Sequence, residues 1–417
     1  MRGCKEKDDR QRQVDHHRLP VGTAIRPSSE VYVVEPHLLI GLNEGHRSLF
    51  LLSSIYSSGW RFLDIDDGMN IRRDVYLSTM KVVILGVSGY TGQVLVQLVL
   101  RHPRLELTGV HGHDSAGESL GSIVPGSEAR FGGIIEPIGS DLGDAEVVLL
   151  ALPHGVSQTL APKLLDEGRV VVDLGADFRF ADEADYEFWY RSHHQSPELL
   201  KRRIYGLVEV TRQDLPAARL IAVPGCYVTA ASLGLWPLVV RSLISDDLVI
   251  VDGYSGVSGA GKSPKASTHF VSVNENLSAY GLLDHRHTGE MEMNLGRRVL
   301  FTPHLAPISR GILATSYALP DQVKTPIMGD ELLELYRGVY ADSPFVRVTE
   351  QPPGTRQVQG TNFIAIHPVY DPRTNRYVVI SAIDNLVKGA AGQAIQALNV
   401  SQGWPEELGL DQIGVWP

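Results

Sequence analysis

The chain has 417 residues, of which 43% are hydrophobic and 21% charged, with a formal net charge of −10 and only two cysteines, Cys4 and Cys226. This composition fits a folded globular protein of two or three domains; it excludes a disulfide scaffold, and no cluster of Cys and His at short spacing marks a structural zinc site. The longest apolar runs fall well short of the ~18 residues of a membrane span, and the acidic balance argues against a protein built mainly to bind nucleic acid.

Residues 1–79 stand apart from the rest. They hold 11 basic and 11 acidic residues in irregular order, so the remaining 338 residues carry the whole net charge. No helical or strand period is sustained there. The apolar stretch at 50–55 lies too far in for a secretory signal, and the acidic residues argue against a transit peptide. This stretch is expected to be a poorly ordered extension or the product of an upstream mis-start, with Met80 as the start of the folded chain.

From Met80 the pattern sharpens. Residues 81–87 form a β-branched run that ends in a glycine turn, and 90–101 carry Val94, Leu95, Leu98 and Val99 at helical spacing. Residues 105–110, 146–151, 169–174 and 220–223 read as further strands, with a helix over 156–167. Strands alternating with helices predict a Rossmann-like parallel sheet. After Cys226 come a helix over 229–241 and strands at 248–252, 299–302, 312–317, 345–348, 363–369 and 377–382. They have few helices between them, which predicts an α+β domain with a mainly antiparallel sheet. A last helix is expected over 389–398. The division is 80–226 for a dinucleotide-binding domain completed by 385–417, and 227–384 for a catalytic and dimerisation domain.

Several segments can carry chemistry. Gly86-Val87-Ser88-Gly89-Tyr90-Thr91-Gly92 is a variant of the dinucleotide fingerprint, placed between a buried strand and a helix, where glycines admit a pyrophosphate to free N–H groups. An ordinary tight turn is the alternative. Asp114, about 20 residues on, fits NAD by the ribose rule, whereas His111, His113 and Ser115 could surround a 2′-phosphate; the residues alone leave both open. Pro224-Gly225-Cys226 sets a thiol at the start of a helix, where the dipole favours thiolate; a buried, inert cysteine is the alternative. His285-Arg286-His287-Thr288-Gly289-Glu290 offers two imidazoles and an acid for proton transfer. Ser255–Lys262, with Ser258, Gly259 and Lys262, is a glycine-rich loop suited to a phosphate or a nicotinamide, without the layout of a P-loop. Asn385 precedes the last helix and can bond a carboxamide. A dinucleotide site, one cysteine and nearby histidines together specify a single-cysteine acyl reductase or aldehyde dehydrogenase that works through a thioester.

The segments GVSGYTG, DLGADFR, PGCYVTA, SGVSGAGK, HRHTGE, FTPHLAPISRGILAT and SAIDNLVKGAAGQAIQ, in this order, resemble the N-acetyl-gamma-glutamyl-phosphate reductases of the semialdehyde dehydrogenase family. The resemblance runs from Met80 to about Trp404. It implies NADPH-dependent reduction of N-acetyl-L-glutamyl 5-phosphate to the 5-semialdehyde, in arginine biosynthesis and in the cytoplasm, by a homo-oligomer (dimer or tetramer). It tips the cofactor choice to NADP. Cys226 matches the family nucleophile; one of His285 and His287 matches the acid/base, oriented by Glu290; Asn385 matches a residue near the nicotinamide. Gly86, Ser88, Gly89, Tyr90, Thr91, Gly92, Ser115, Ser258 and Gly259 are the remaining cofactor candidates. Arg179 and Lys262 are candidates for the substrate's anionic groups, and no metal is implied. Gly289 departs from the family pattern, which has proline there. Reductases of the aminoadipyl analogue and aspartate-semialdehyde dehydrogenases are the neighbouring alternatives, and a non-catalytic NADP-binding module is the alternative from another class.

Overall fold

The computed structural model describes the backbone of residues 29–35, 38–43, 49–54, 60–65, 71–75 and 79–414, and side chains from Thr79 on, Asp246 excepted. The chain divides into two units, Met1–Ser78 and Thr79–Pro417. In the first unit, β1 (Ser29–Glu35), β2 (Leu38–Asn43), β3 (Leu49–Ser54), β4 (Trp60–Ile65) and β5 (Ile71–Val75) pair each with the next, all antiparallel. Strands are thus described where the sequence carries no sustained strand period. Charged residues interrupt the alternation, as in Ile71–Val75, whose sequence is IRRDV. Cys4 lies outside the described residues.

The second unit holds two seven-stranded sheets. The first has the order β11-β12-β10-β9-β6-β7-β8. Its strands are β6 (Met80–Leu85), β7 (Leu105–Gly112), β8 (Glu136–Pro137), β9 (Val147–Leu150), β10 (Val170–Asp173), β11 (Ile204–Tyr205) and β12 (Leu220–Ala222). Every pairing is parallel. The reason is visible in β9, VVLL, buried at all four positions: such a strand needs cover on both faces. On one face, α1 (Tyr90–Val99) lays down Val94, Leu95 and Leu98. On the other, α2 (Ser157–Asp166) supplies Leu164 and Leu165.

A short helix, α3 (Glu183–Tyr190), follows β10. Then α4 (Cys226–Val240) begins where the Pro224-Gly225 turn leaves the first sheet. It is apolar around its whole circumference and buries most of its residues, because the second sheet wraps it.

That second sheet has the order β14-β15-β13-β16-β19-β18-β17. It comprises β13 (Ile244–Ser255), β14 (Ser278–Ala279), β15 (Arg298–Leu305), β16 (Ile312–Pro320), β17 (Val346–Val348), β18 (Ile364–Asp371) and β19 (Arg376–Ile383). It is mostly antiparallel, as expected, with β13–β15 and β17–β18 the two parallel pairs. The two longer helices here are α5 (His287–Leu295) after β14 and α6 (Gly329–Val339) after β16. Strict alternation along β16 sends Ile312, Ala314 and Ala318 into the core around α4. The opposite face leaves Leu248, Ile250 and Leu300 more than a third exposed.

The expected final helix over 389–398 is two elements. Residues Val387–Ala391 form a wider turn with bonds between residues five apart, and α7 (Gly392–Ser401) follows. Ile395 and Leu398 of α7 return to the first sheet and pack in the same core as Val94 and Leu95.

Candidate functional site

The dinucleotide motif forms the turn between β6 and α1. Gly86 has φ +92°, and a Cβ there would lie 2.2 Å from the Ala151 carbonyl oxygen; one at Gly92 would lie 2.3 Å from the Gly86 carbonyl oxygen. Only glycine fits this crossing of backbones. The Gly89 N–H donates to the Gly86 carbonyl (3.2 Å), and Gln93 Nε2 donates to the carbonyl of Ser88 (2.9 Å). Tyr90 and Thr91 open the first turn of α1.

Beside this turn lies a cleft of about 500 Å³, lined among others by Tyr90, Gln93, Ser258, Lys262 and Arg310. Asn385 braces one of its lining residues, Ser258, from outside the lining. Its Oδ1 accepts from the Gly311 N–H (2.7 Å) and its Nδ2 donates to Ser258 Oγ (3.0 Å). Gly259 sits tightly over Ser255, whose Oγ would lie 2.6 Å from a Cβ there. A glycine cradle, a helix N-terminus and an amide-and-hydroxyl wall fit a nicotinamide dinucleotide.

At the end of β7 the candidates separate. His111 is buried and its Nδ1 lies 3.1 Å from the Pro137 carbonyl, so it braces the strand end. His113 and Asp114 pair with each other at the surface, 2.7 Å apart. The Ser115 hydroxyl is buried beneath Gly112 and has no partner.

The thiol lies at the other end of the loop system. Cys226 is the first residue of α4, half-buried. Burial pushes its thiol up to about 11; Arg179 and the backbone N–H groups of Cys226 and Tyr227 pull the other way and do not prevail. Burial therefore works against the thiolate that the helix start favours.

His287 and His285, from α5 and the turn before it, pack on the residues either side of Cys226, Gly225 and Tyr227. The His287 ring packs directly on Gly225, where a Cβ would lie 2.3 Å from Nε2. The two imidazoles are edge-on with centroids 4.8 Å apart, and Tyr227 and Phe301 flank His285. Burial lowers His285 to about 4 and holds His287 well below its ordinary value, with His285 and Arg179 adding to the effect. Both rings rest neutral.

Glu290 is fully buried and is the hub of the site. Its Oε1 accepts from Tyr205 Oη (2.6 Å) and from the Gly225 N–H (2.9 Å), and its Oε2 pairs with Arg179 Nη1 (3.4 Å). Arg179 Nε donates to the Val223 carbonyl (2.9 Å), and Nη1 also lies 3.4 Å from His287 Nε2. These bonds tie Arg179 to the residue that follows β12 and to Glu290 and His287 of α5. Lys262 lies on the cofactor cleft, away from this hub. Gly289 is explained by its neighbour: a Cβ there would lie 2.0 Å from Trp189 Nε1, so the indole of α3 covers the first turn of α5.

Tyr205, Gln93 and Arg310 carry no motif in the sequence. Tyr205 stands on a two-residue strand 85 positions from its carboxylate partner. Arg310 lies within a segment of family resemblance but shows its purpose only through the cleft and through its ion pair with Asp384 (3.1 Å). Among the described residues no group of three His, Cys, Asp or Glu is placed to hold a metal.

Two family models match the chain: the semialdehyde dehydrogenase NAD binding domain over residues 81–218 and the semialdehyde dehydrogenase dimerisation domain over 226–385. N-acetyl-gamma-glutamyl-phosphate reductase of Halothermothrix orenii is 44% identical over 353 residues, covering 81% of this chain and 100% of the relative. That of Desulforudis audaxviator is 47% identical over 354 residues, with the same coverage. Among solved structures, aspartate semialdehyde dehydrogenase II from Vibrio cholerae is similar with a TM-score of 0.60 at 17% identity, covering 78% of this chain and 98% of that one. The enzyme from Candida albicans, solved with NADP, gives 0.58 at 13%, covering 78% and 98%. Those two likenesses concern the fold alone. With the two domain models end to end and relatives matched over their whole length, the chain belongs to the semialdehyde dehydrogenase family, in its N-acetyl-gamma-glutamyl-phosphate reductase branch.

Proposed function

We propose that this protein reduces N-acetyl-L-glutamyl 5-phosphate to N-acetyl-L-glutamate 5-semialdehyde with NADPH, a cytoplasmic step of arginine biosynthesis, through a thioester on Cys226. The observation that carries the reading is one thiol at a helix start, with a neutral imidazole packed on the residue before it and a buried carboxylate bonded to that same residue. The names of the relatives supply the substrate.

The chemistry follows from the resting charges. Cys226 starts as a thiol and His287 as a neutral base, so the thiolate forms at the moment of attack and is not stored. Sulfur adds to the acyl carbon, the C–O bond to phosphate breaks, and inorganic phosphate leaves. The proton taken by the imidazole is then available for the departing phosphate. Bound in the cleft, against the Gly86–Gly92 turn, Ser258 and Asn385, NADPH supplies hydride. The thioester oxygen, made an alkoxide by the hydride, re-forms the C=O as the C–S bond breaks; the aldehyde leaves, and the sulfur takes a solvent proton through the imidazole to restore the thiol. Glu290 and Arg179 hold His287 and the Gly225 peptide in place and take no proton in this scheme.

The half-exposed face with Leu248, Ile250 and Leu300 suits a second copy of the chain, in keeping with the dimerisation domain that matches here. The deciding experiment is a steady-state comparison of N-acetylglutamyl phosphate with the aminoadipyl analogue and with aspartyl phosphate, using NADPH and NADH in parallel. At least a tenfold preference in kcat/KM for the first substrate with NADPH is expected. A preference for either alternative would reassign the substrate, and absence of turnover with all three despite NADPH binding would make the protein a binding module.

A further inference from the structure

The wide turn Val387–Ala391 is irregular for a reason that the reaction scheme does not use. Gly389 N–H donates to the Asp384 carbonyl and Ala391 N–H to the Leu386 carbonyl, both at 3.0 Å and both five residues apart. Such an insertion inside a helix costs hydrogen-bond geometry and recurs at functional sites. Here the extra residue sends two neighbours to different places. Gly389 packs on the nucleophile: a Cβ there would lie 2.7 Å from Cys226 Cβ and 3.2 Å from its Cα. Lys388 has no solvent exposure at all. Its ammonium meets Glu209, equally buried, at 2.6 Å and Gln396 Oε1 at 2.7 Å.

The same segment reaches the cofactor cleft. Asp384 Oδ1 accepts from the N–H groups of Leu386 and Val387, and the Asp384 carboxylate pairs with Arg310, which lines the cleft. Asn385 bonds Ser258 and Gly311. Within seven residues the chain therefore touches the thiol, the cleft and a buried ion pair. A buried ion pair adds little net stability compared with apolar groups of equal volume, so its presence at this position calls for another explanation.

We infer that Lys388, through its pair with Glu209, is a positioning residue that locks the wide turn so that Gly389 fixes Cys226 while Asn385 and Arg310 are held at the cleft. The inference rests on Cys226 being the nucleophile. Lys388 touches neither substrate nor thiol and acts through Gly389.

The test uses the full-length chain with Cys4→Ser, so that Cys226 is the one thiol. Lys388→Met combined with Glu209→Gln removes both charges and keeps the volume, avoiding a stranded buried charge. The expected result is a fall in kcat of at least tenfold, a KM for the acyl phosphate within about threefold, and a several-fold faster alkylation of Cys226 by iodoacetamide at pH 8. Gly389→Ala, with both charges in place, should lower kcat at least tenfold, because its methyl displaces Cys226. Wild-type kcat and alkylation rate in the double variant would mean that the pair only stabilises the fold and would overturn the inference. Should the double variant fail to fold, Gly389→Ala decides, and wild-type behaviour there has the same consequence. Alkylation needs no substrate, so it still reads the turn if the proposed substrate proves wrong.

Discussion

The Gly225 N–H donates to Glu290 Oε1 at 2.9 Å, so the buried carboxylate is bonded to the peptide that directly precedes the thiol. The same oxygen accepts from Tyr205, and its partner oxygen faces Arg179. Glu290→Gln keeps the shape but leaves Arg179 without its counter-charge. Breaking a buried pair in this way costs about 3–5 kcal/mol, and misplacing a proton-transfer group costs about 10²–10⁴ in rate. Thermal unfolding and steady-state kinetics on the same preparation should show both losses; an unchanged kcat would remove Glu290 from the orienting role.

Cys226→Ser should lower kcat by at least about 10⁴, since a hydroxyl at this position has no comparable nucleophilicity. NADPH affinity, followed by fluorescence titration, should stay within about threefold, because the cleft is lined by other residues. Turnover near the wild-type rate in this variant would end the thioester mechanism.

Stability should fall in mild acid, and His102 should account for part of the fall. It is 4% exposed, its Nδ1 accepts from the Arg104 N–H, its Nε2 bonds Asn399, and burial lowers it to about 4. A histidine lowered from 6.5 on folding favours the native state above pH 6.5, and this advantage disappears as pH falls through 4, a term on the order of 3 kcal/mol. His285 acts in the same direction. Asp173 opposes them: burial raises it to about 6, so it favours the native state below 3.8 and loses that effect as pH rises through 6. Melting temperatures between pH 4 and 7 should therefore drop less steeply in His102→Gln and more steeply in Asp173→Asn. Parallel curves for all three proteins would refute the assignment.

A chain beginning at Met80 should fold and retain kcat and KM within about twofold. The matched domains begin at residue 81, and the relatives are covered over their whole length by 81% of this chain. Loss of activity in the shortened protein would show that the five-stranded unit is needed.

Leu300→Glu placed with Ile250→Glu should dissociate the proposed oligomer, because the two side chains stand on neighbouring strands of the exposed face. Sedimentation velocity at micromolar concentration is the measurement. A wild-type protein that already sediments as a monomer would rule this face out as a self-association surface.

Much of the fold was legible from residue type alone. VVLL at β9 and VVV in β10 declare a sheet covered on both sides, and the glycine turn and Pro-Gly turn mark where helices begin. The thiol and the imidazoles were legible as candidates for the same reason. Their protonation was not, because a helix start in the sequence shows the dipole but not the desolvation that opposes it. Tyr205, Arg179 and Glu290 converge from positions 85 and 111 residues apart, which no local pattern records. The wide turn at Val387–Ala391 escaped for a different reason: one added residue shifts the helical period too little to be seen among small side chains.

The return of α7 to the first sheet bears on synthesis. Val82, Ile84 and Val172 share a core with Ile395 and Leu398, which leave the ribosome some 300 residues after β6. At about 5–20 residues per second that interval is roughly 15–60 s. During this time the face of the nascent parallel sheet that α1 covers lacks its second helix, α7. A fragment ending near Pro224 would lack that second helix permanently, so the cover of this sheet is completed only when the last helix of the chain has been made.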